Sequence, residues 1–171
     1  MEKDKASIDD MYNDLLNLGR IFGVEEKANS LVEGYRLEIS KETKKLKGEN
    51  PLRVFVYDSG EDAPFTAGLY AMPTALIEAA GGTNIMDDFK KSWGTVTWEE
   101  VIDRNPEVIV IVNYGNVTAE QKREFMMSNP AFADLDAVKN DRFVTLEYVE
   151  ATPGPRNINA VKTLLKAFWG S

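Results

Sequence analysis

The spacing of apolar residues changes character near residue 51. Before that point Ile8, Met11, Leu15 and Leu18 fall on one stripe, the interval expected of an amphipathic helix. Ser7, followed three residues later by Asp10, gives that helix a capping-box start. Gly19 and Gly23 are expected to interrupt it. A second stripe, formed by Ala28, Leu31, Val32, Tyr35, Ile39 and Leu46, predicts one long helix over 24–47 with a charged opposite face and Gly48 at its end.

After Asn50-Pro51 the pattern becomes strand-like. "LRVFVYD" (52–58), "EVIVIVNY" (107–114) and "RFVTLEY" (142–148) read as strands. The middle one is apolar on both faces, as a parallel strand covered by helices on both sides must be. The helices between them carry clear punctuation. Pro73 suits the first turn of "MPTALIEAAGG", and Gly81-Gly82 supply its end. Thr97 with Glu100 caps "TWEEVIDRN", Thr118 with Gln121 caps "TAEQKREFMM", and Pro155 opens "PRNINAVKTLLKAFW". This alternation predicts an α/β fold: a three-layer sandwich with a mainly parallel sheet, preceded by a long helix.

A chain of 171 residues can bury a substantial single core. Its net charge of −8 argues against a nucleic-acid partner, which would need a basic stripe. The basic cluster "KETKKLKG" (41–48) reads as the solvated end of a helix. The sequence contains no cysteine and no histidine. That excludes disulfides, thiolate nucleophiles, imidazole-ligated haem and Cys- or His-based zinc sites. The acids show no EF-hand-like spacing, so no metal site is predicted. Residues 1–20 hold no apolar signal-peptide core, and no run is long enough to cross a bilayer.

In an open parallel sheet, ligands sit beyond the carboxyl ends of the strands. Here those ends read "YDSGEDAPF", "NYGNVT" and "EYVEATPG", and they carry Asp58, Ser59, Asn113, Tyr114, Tyr148 and Glu150. Phe65, Tyr70 and Trp93 join them from loops or helix entrances. An aromatic, mildly polar mouth of this kind suits a bulky organic ligand better than a phosphate. "AAGGTN" is a helix stop, not a phosphate loop.

An enzyme reading would make Asp58 a phosphotransfer nucleophile, or Asp58 or Glu150 the acid or base of a small-molecule hydrolase. No partner acid, lysine or metal motif accompanies Asp58, so no catalytic residue is assigned. A ligand-sensing interaction module is a further alternative. Of the two tryptophans in "SWGTVTWEE", Trp98 is expected to cover its helix against the sheet, whereas Trp93 is either core or ligand-facing. Glu99 and Glu100 suit the positive end of a helix dipole without any further role.

Five stretches, taken in order, carry a resemblance: "LLNLGRIFGVEEKANSLVEGY", "FTAGLYAMPTALIEAAGGTNI", "WGTVTWEEVIDRNPEVIVI", "NPAFADLDAVKNDRFVTL" and "GPRNINAVKTLL". The chain resembles the carboxy-terminal lobe of the helical-backbone class of ABC-transporter solute-binding proteins, the receptors for ferric siderophores, haem and cobalamin. The resemblance implies that residues 1–50 hold the remnant of an amino-terminal lobe and the long connecting helix. Residues 51–171 would then form the carboxy-terminal α/β ligand-binding lobe. It also implies a non-enzymatic role: binding a metal chelate in an interlobe cleft and delivering it to an ABC-transporter permease. The protein would work outside the cytoplasm, in the periplasm or lipid-anchored at the outer face of the membrane, through a signal or anchor that this chain lacks.

By the same resemblance Phe65 and Trp93 would line the ligand pocket, together with Tyr70, Tyr114, Tyr148 and Thr152, and Glu99 would dock onto permease arginines. No cofactor is implied apart from the bound chelate. The absence of histidine disfavours haem and Zn/Mn receptors. The mouth also lacks the arginine cluster that strongly anionic catecholates need. Together these features favour a ferric hydroxamate-like complex or a corrinoid.

Overall fold

The computed structural model describes residues 5–46 and 48–170. Two helices, α1 (Ile8–Ile21) and α2 (Glu25–Thr43), come first. Then follow β1 (Leu52–Tyr57), β2 (Phe65–Ala67), α3 (Met72–Ala79), β3 (Gly82–Asn84), β4 (Trp93–Thr95), α4 (Trp98–Arg104) and β5 (Val108–Asn113). The chain closes with α5 (Ala119–Ser128), α6 (Asp136–Lys139), β6 (Phe143–Glu147), α7 (Tyr148–Ala151) and α8 (Asn157–Trp169).

Four strands form one parallel sheet in the order β3-β1-β5-β6, and β2 pairs antiparallel with β4 in a separate hairpin-like ribbon whose two strands are separated in sequence by α3 and β3. Successive residues of a strand face opposite sides of its sheet, and β1 shows how this builds the layers. Val54 and Val56 pack with Leu76 and Ile77 of α3 and with Val161 and Leu164 of α8. Phe55 and Tyr57 point the other way, into a cluster with Trp98 and Val101 of α4, Met126 of α5, and Phe132. All of β1 from Val54 onwards is therefore buried, as the doubly apolar pattern requires. The three-layer α/β sandwich expected from the sequence is the fold.

The α1–α2 pair lies on the α3–α8 layer. Met11, Tyr12 and Val32 close over Ile158 of α8, with Ile8, Leu15, Tyr35 and Ile39 around them. Helix α1 runs through Gly19 and does not break there: Gly19 is buried, and a side chain on it would collide with the Ala28 methyl of α2. It is a close-approach residue between helices. Gly23, with φ +66°, makes the turn.

The stripe expected to form a single long helix ends at Thr43, and Leu46 belongs to a short 3₁₀ turn that follows. Of that stripe only Val32 is fully buried. Lys47, within the expected basic cluster, lies outside the described residues. Helix α8 starts at Asn157, two residues after Pro155. Among the described residues no helix is long and apolar enough to cross a membrane.

Candidate functional site

The strand order defines where the site falls. From β1 the chain lays β3 on one side, then crosses to place β5 on the other. The topological switch therefore lies between the carboxyl ends of β1 and β5, where ligands of open α/β sheets bind. Asp58 follows β1 and Tyr114 follows β5. The Tyr114 hydroxyl donates to Asp58 Oδ2 across this gap at 3.1 Å, and the Ser59 hydroxyl donates to the same oxygen at 2.9 Å. Asp58 is only 4% exposed, so its carboxylate is held by hydroxyl donors beneath the surface.

Two aromatic pairs flank this bridge. On one side Phe65 and Trp93 stack across the β2–β4 hairpin, with ring centroids 6.1 Å apart and planes within 11°. The hairpin is tied to the end of β1 by main-chain bonds from Asp58 N to the Phe65 carbonyl (3.1 Å) and from Phe65 N to the Ser59 carbonyl (2.8 Å). On the other side Tyr114 and Tyr148 lie with centroids 5.4 Å apart. They are 43% and 52% exposed, large values for rings of this size at strand ends. Phe65, Trp93, Tyr114 and Tyr148 are thus brought onto one edge of the sheet.

The remaining residues singled out in the sequence fall around this edge. Half-buried Tyr70 follows β2, its N–H bonded to the Lys91 carbonyl at 3.2 Å. Thr152 ends α7, and its carbonyl accepts a bond from the Asn157 side chain at 2.8 Å. Asn157 also bonds the Glu150 carbonyl and receives the Gly154 N–H, which fixes the 150–157 loop. The Glu150 carboxylate bonds back to the Glu147 N–H at the start of α7, a capping duty. Asn113 donates to Glu147 and accepts from the Ala119 N–H.

Trp98 is core. It packs against Phe55, Tyr57, Phe125 and Phe132, and its indole N–H donates to the Glu61 carbonyl at 2.6 Å. Neighbouring Glu99 is exposed in the first turn of α4.

Sequence reasoning missed Lys122. It is 3% exposed on α5, donates to the Val112 carbonyl at 2.7 Å, and holds its ammonium 5.2 Å from the Tyr114 ring centre. Burial lowers its pKa, and the nearby Asp58 charge opposes that shift. Burial, followed by the charge and hydrogen bond of Asp58, raises the Tyr114 pKa. Nothing in the capping pattern of "TAEQKREFMM" marks Lys122; its place on the sheet-facing side of the helix was the one available signal. Val117, in the loop after β5, and Val149, in α7 beside Tyr148, are both exposed and add apolar surface near the two tyrosines.

The mouth is an open surface on this chain. A concavity of about 650 Å³ lies instead at the opposite edge, between α2 and the end of α8, around Ile39, Leu46, Leu165 and Trp169. Its rim neutralises itself through the Lys162–Glu38 and Lys45–Glu42 ion pairs. We place the site at the strand ends because the switch point and the exposed rings coincide there. Among the described residues, no group of three or more acids is placed to hold a metal ion.

A four-stranded parallel sheet between helical layers, with its open crevice at the strand ends, defines an α/β binding-protein lobe. Residues 1–150 match the family described as periplasmic binding protein, and the chain belongs to that family. It is 24% identical over 170 residues to the ABC transporter substrate-binding lipoprotein YvrC of Bacillus subtilis, covering 97% of this chain and 52% of that protein. It is 28% identical over 108 residues to the vitamin B12-binding protein of Yersinia pestis, covering 63% and 38%. Among solved structures, a periplasmic binding protein from Veillonella parvula superposes with a TM-score of 0.88 at 35% identity, over 97% of this chain and 58% of that one. An ABC-type Fe3+-hydroxamate transport protein from Saccharomonospora viridis shares the fold, with a TM-score of 0.83 at 22% identity, over 97% and 57%. The chain thus spans about half the length of the relatives it matches.

Proposed function

We propose that this chain is the carboxy-terminal lobe of the extracytoplasmic solute-binding component of an ABC importer. In this reading residues 51–171 form one wall of a cleft that a second lobe closes, and α2 is the connecting element. The ligand is a bulky metal chelate, a ferric hydroxamate-like complex or a corrinoid, seated against Phe65, Tyr70, Trp93, Tyr114, Tyr148 and Thr152. Exposed Glu99 meets permease arginines, a contact that salt should weaken.

One observation carries the reading: two exposed or half-exposed aromatic pairs, joined through Asp58 and Ser59, sit at the switch point of the sheet. Stacking and apolar burial on such a surface suit a large planar or folded chelate. The names of the relatives point the same way, one binding vitamin B12 and one belonging to a hydroxamate transport system. Asp58 has a structural duty in this reading, its Oδ2 taking two hydroxyl donors that fix the crevice floor.

The test is a tryptophan-fluorescence titration with ferrioxamine B and cyanocobalamin. This chain alone offers one wall, so binding weaker than micromolar is expected, with a signal that disappears in Trp93→Phe. Micromolar or tighter binding, or a response unchanged in Trp93→Phe, contradicts the one-wall arrangement. Tight binding of a ferric catecholate by the complete receptor, with no affinity for hydroxamates or corrinoids, overturns the ligand preference.

A further inference from the structure

The bridge at the switch point constrains what Tyr114 can do to a ligand. A phenol can meet a metal chelate in two ways. It can lose its proton and coordinate the metal as phenolate, or it can stay protonated and hydrogen-bond to the chelate's periphery. The surroundings of Tyr114 favour the second. Its O–H points at Asp58 Oδ2, 3.1 Å away, and Asp58 is buried. Ionising the phenol would leave two anionic oxygens facing each other in a partly dehydrated site.

Among the other groups facing Tyr114, the Ser59 hydroxyl eases that conflict in part, but burial and the Asp58 charge and hydrogen bond outweigh it. The Ser59 hydroxyl is donated to Asp58. The Lys122 ammonium lies over the ring 5.2 Å from its centre, with its hydrogen bond running to the Val112 carbonyl. Tyr148, from α7, contributes a neighbouring ring. The phenol oxygen, by contrast, keeps its lone pairs, and donation into a carboxylate polarises it as an acceptor. With Tyr114 43% exposed, an arriving molecule can reach the ring.

We propose that Tyr114 works at the mouth as a neutral phenol: its proton is committed to Asp58, Lys122 positions its ring, and its oxygen accepts hydrogen bonds from amide or hydroxyl groups on a chelate whose metal coordination is already complete. This rests on the receptor reading above and narrows it, since iron with open coordination sites gains no ligand from Tyr114. Lys122 acts here as a positioning residue: its ammonium and the Asp58 carboxylate hold the ring from two directions.

The test uses the whole chain with tyrosine labelled at Cζ with the heavy carbon isotope and read by NMR, Tyr114→Phe and Tyr148→Phe assigning the two resonances. Without any ligand, Asp58→Asn should lower the proton affinity of Tyr114 several-fold; no change overturns the proposal and leaves the receptor reading standing. Ferric nitrilotriacetate, which has open iron sites, should give no phenolate-to-iron charge-transfer band from Tyr114. A visible band that is lost in Tyr114→Phe overturns the proposal. The diamagnetic chelates gallium desferrioxamine B and cyanocobalamin should shift the Tyr114 resonance, and the shift should shrink in Lys122→Met. If they move Tyr148 but leave Tyr114 unmoved, the proposal fails alone; if no tyrosine responds, the receptor reading fails with it.

Discussion

Tyr57 offers a quantitative check on the packing beneath the site. It is fully buried on the α4–α5 side of the sheet, its ring edge-on to Trp98 at 5.4 Å and tilted against Phe125 at 6.3 Å, and its hydroxyl donates to the Gly60 carbonyl at 3.3 Å. Burial pushes its pKa from the ordinary 10.0 up to about 12, helped by the nearby Glu61 charge. A raised pKa in the folded state means that the folded chain holds this proton more tightly than the unfolded one. The resulting stability is fully present below pH 10 and is lost as pH climbs towards 12. A tenfold change in proton affinity is worth about 1.4 kcal/mol, so the loss across this window is roughly 2–3 kcal/mol.

Tyr57→Phe keeps the ring contacts and removes the titrating group. At neutral pH it should cost about 0.5–1.5 kcal/mol for the lost hydrogen bond. Above pH 10 the variant should lose less stability than the parent chain, and the difference should approach the full 2–3 kcal/mol near pH 12. Tyr12 and Tyr114, also raised by burial, titrate in both proteins and cancel in the comparison. Urea unfolding at stepped alkaline pH, followed by circular dichroism, measures this difference. Parallel stability curves for the two proteins across the alkaline range would refute the assignment.

Other substitutions probe the core, the corner and the docking face. Trp98→Ala removes a ring that touches four aromatics and should destabilise the fold by about 3–5 kcal/mol in denaturant titration. Gly60→Ala places a side chain at φ +88° against the Ala63 carbonyl, so a loss of more than about 1 kcal/mol is expected, with altered Trp93 fluorescence as the hairpin shifts. Glu99→Ala, at an exposed helix turn, should change stability by no more than about 0.5 kcal/mol. In the complete receptor it should leave ligand affinity intact while impairing uptake by the assembled importer; normal uptake would remove the docking role.

The sandwich was legible because its signals are local and redundant. Capping pairs at Ser7, Thr97 and Thr118 mark helix starts that the structure places at the next residue. "EVIVIV" is apolar on both faces because β5 is central in the sheet. Strands β2, β3 and β4 escaped notice because each is three residues long, too short to show a period. Gly19 looked like a breaker because sequence alone does not show Ala28 lying against it.

The rings that the structure brings together at the strand ends were reached through strand-end logic, which needs only the strands. The Asp58–Tyr114 bond and the buried Lys122 were not, because they join residues 56 apart in one case and depend on the rotation of α5 in the other. Arg53 is a similar case, joining Glu107 and Asp136 at the amino edge of the sheet; no local pattern announces it.

The β2–β4 hairpin shares no ladder with the main sheet, yet it is fastened from within. Thr66 Oγ1 donates to the Val56 carbonyl at 2.6 Å, Asn84 Nδ2 donates to the Ala67 carbonyl at 2.8 Å, and Thr74 Oγ1 donates to the Gly68 carbonyl at 2.7 Å, all of them buried. Sliding the hairpin would strip these donors of partners in a dry interior, a penalty no surface contact could offset. The Phe65–Trp93 shelf is therefore set when the chain folds, and under the proposed role a ligand would meet a surface whose disorder has already been removed. Under the same proposal, adaptation to ligands of different size would fall to the exposed Tyr114 and Tyr148 across the crevice.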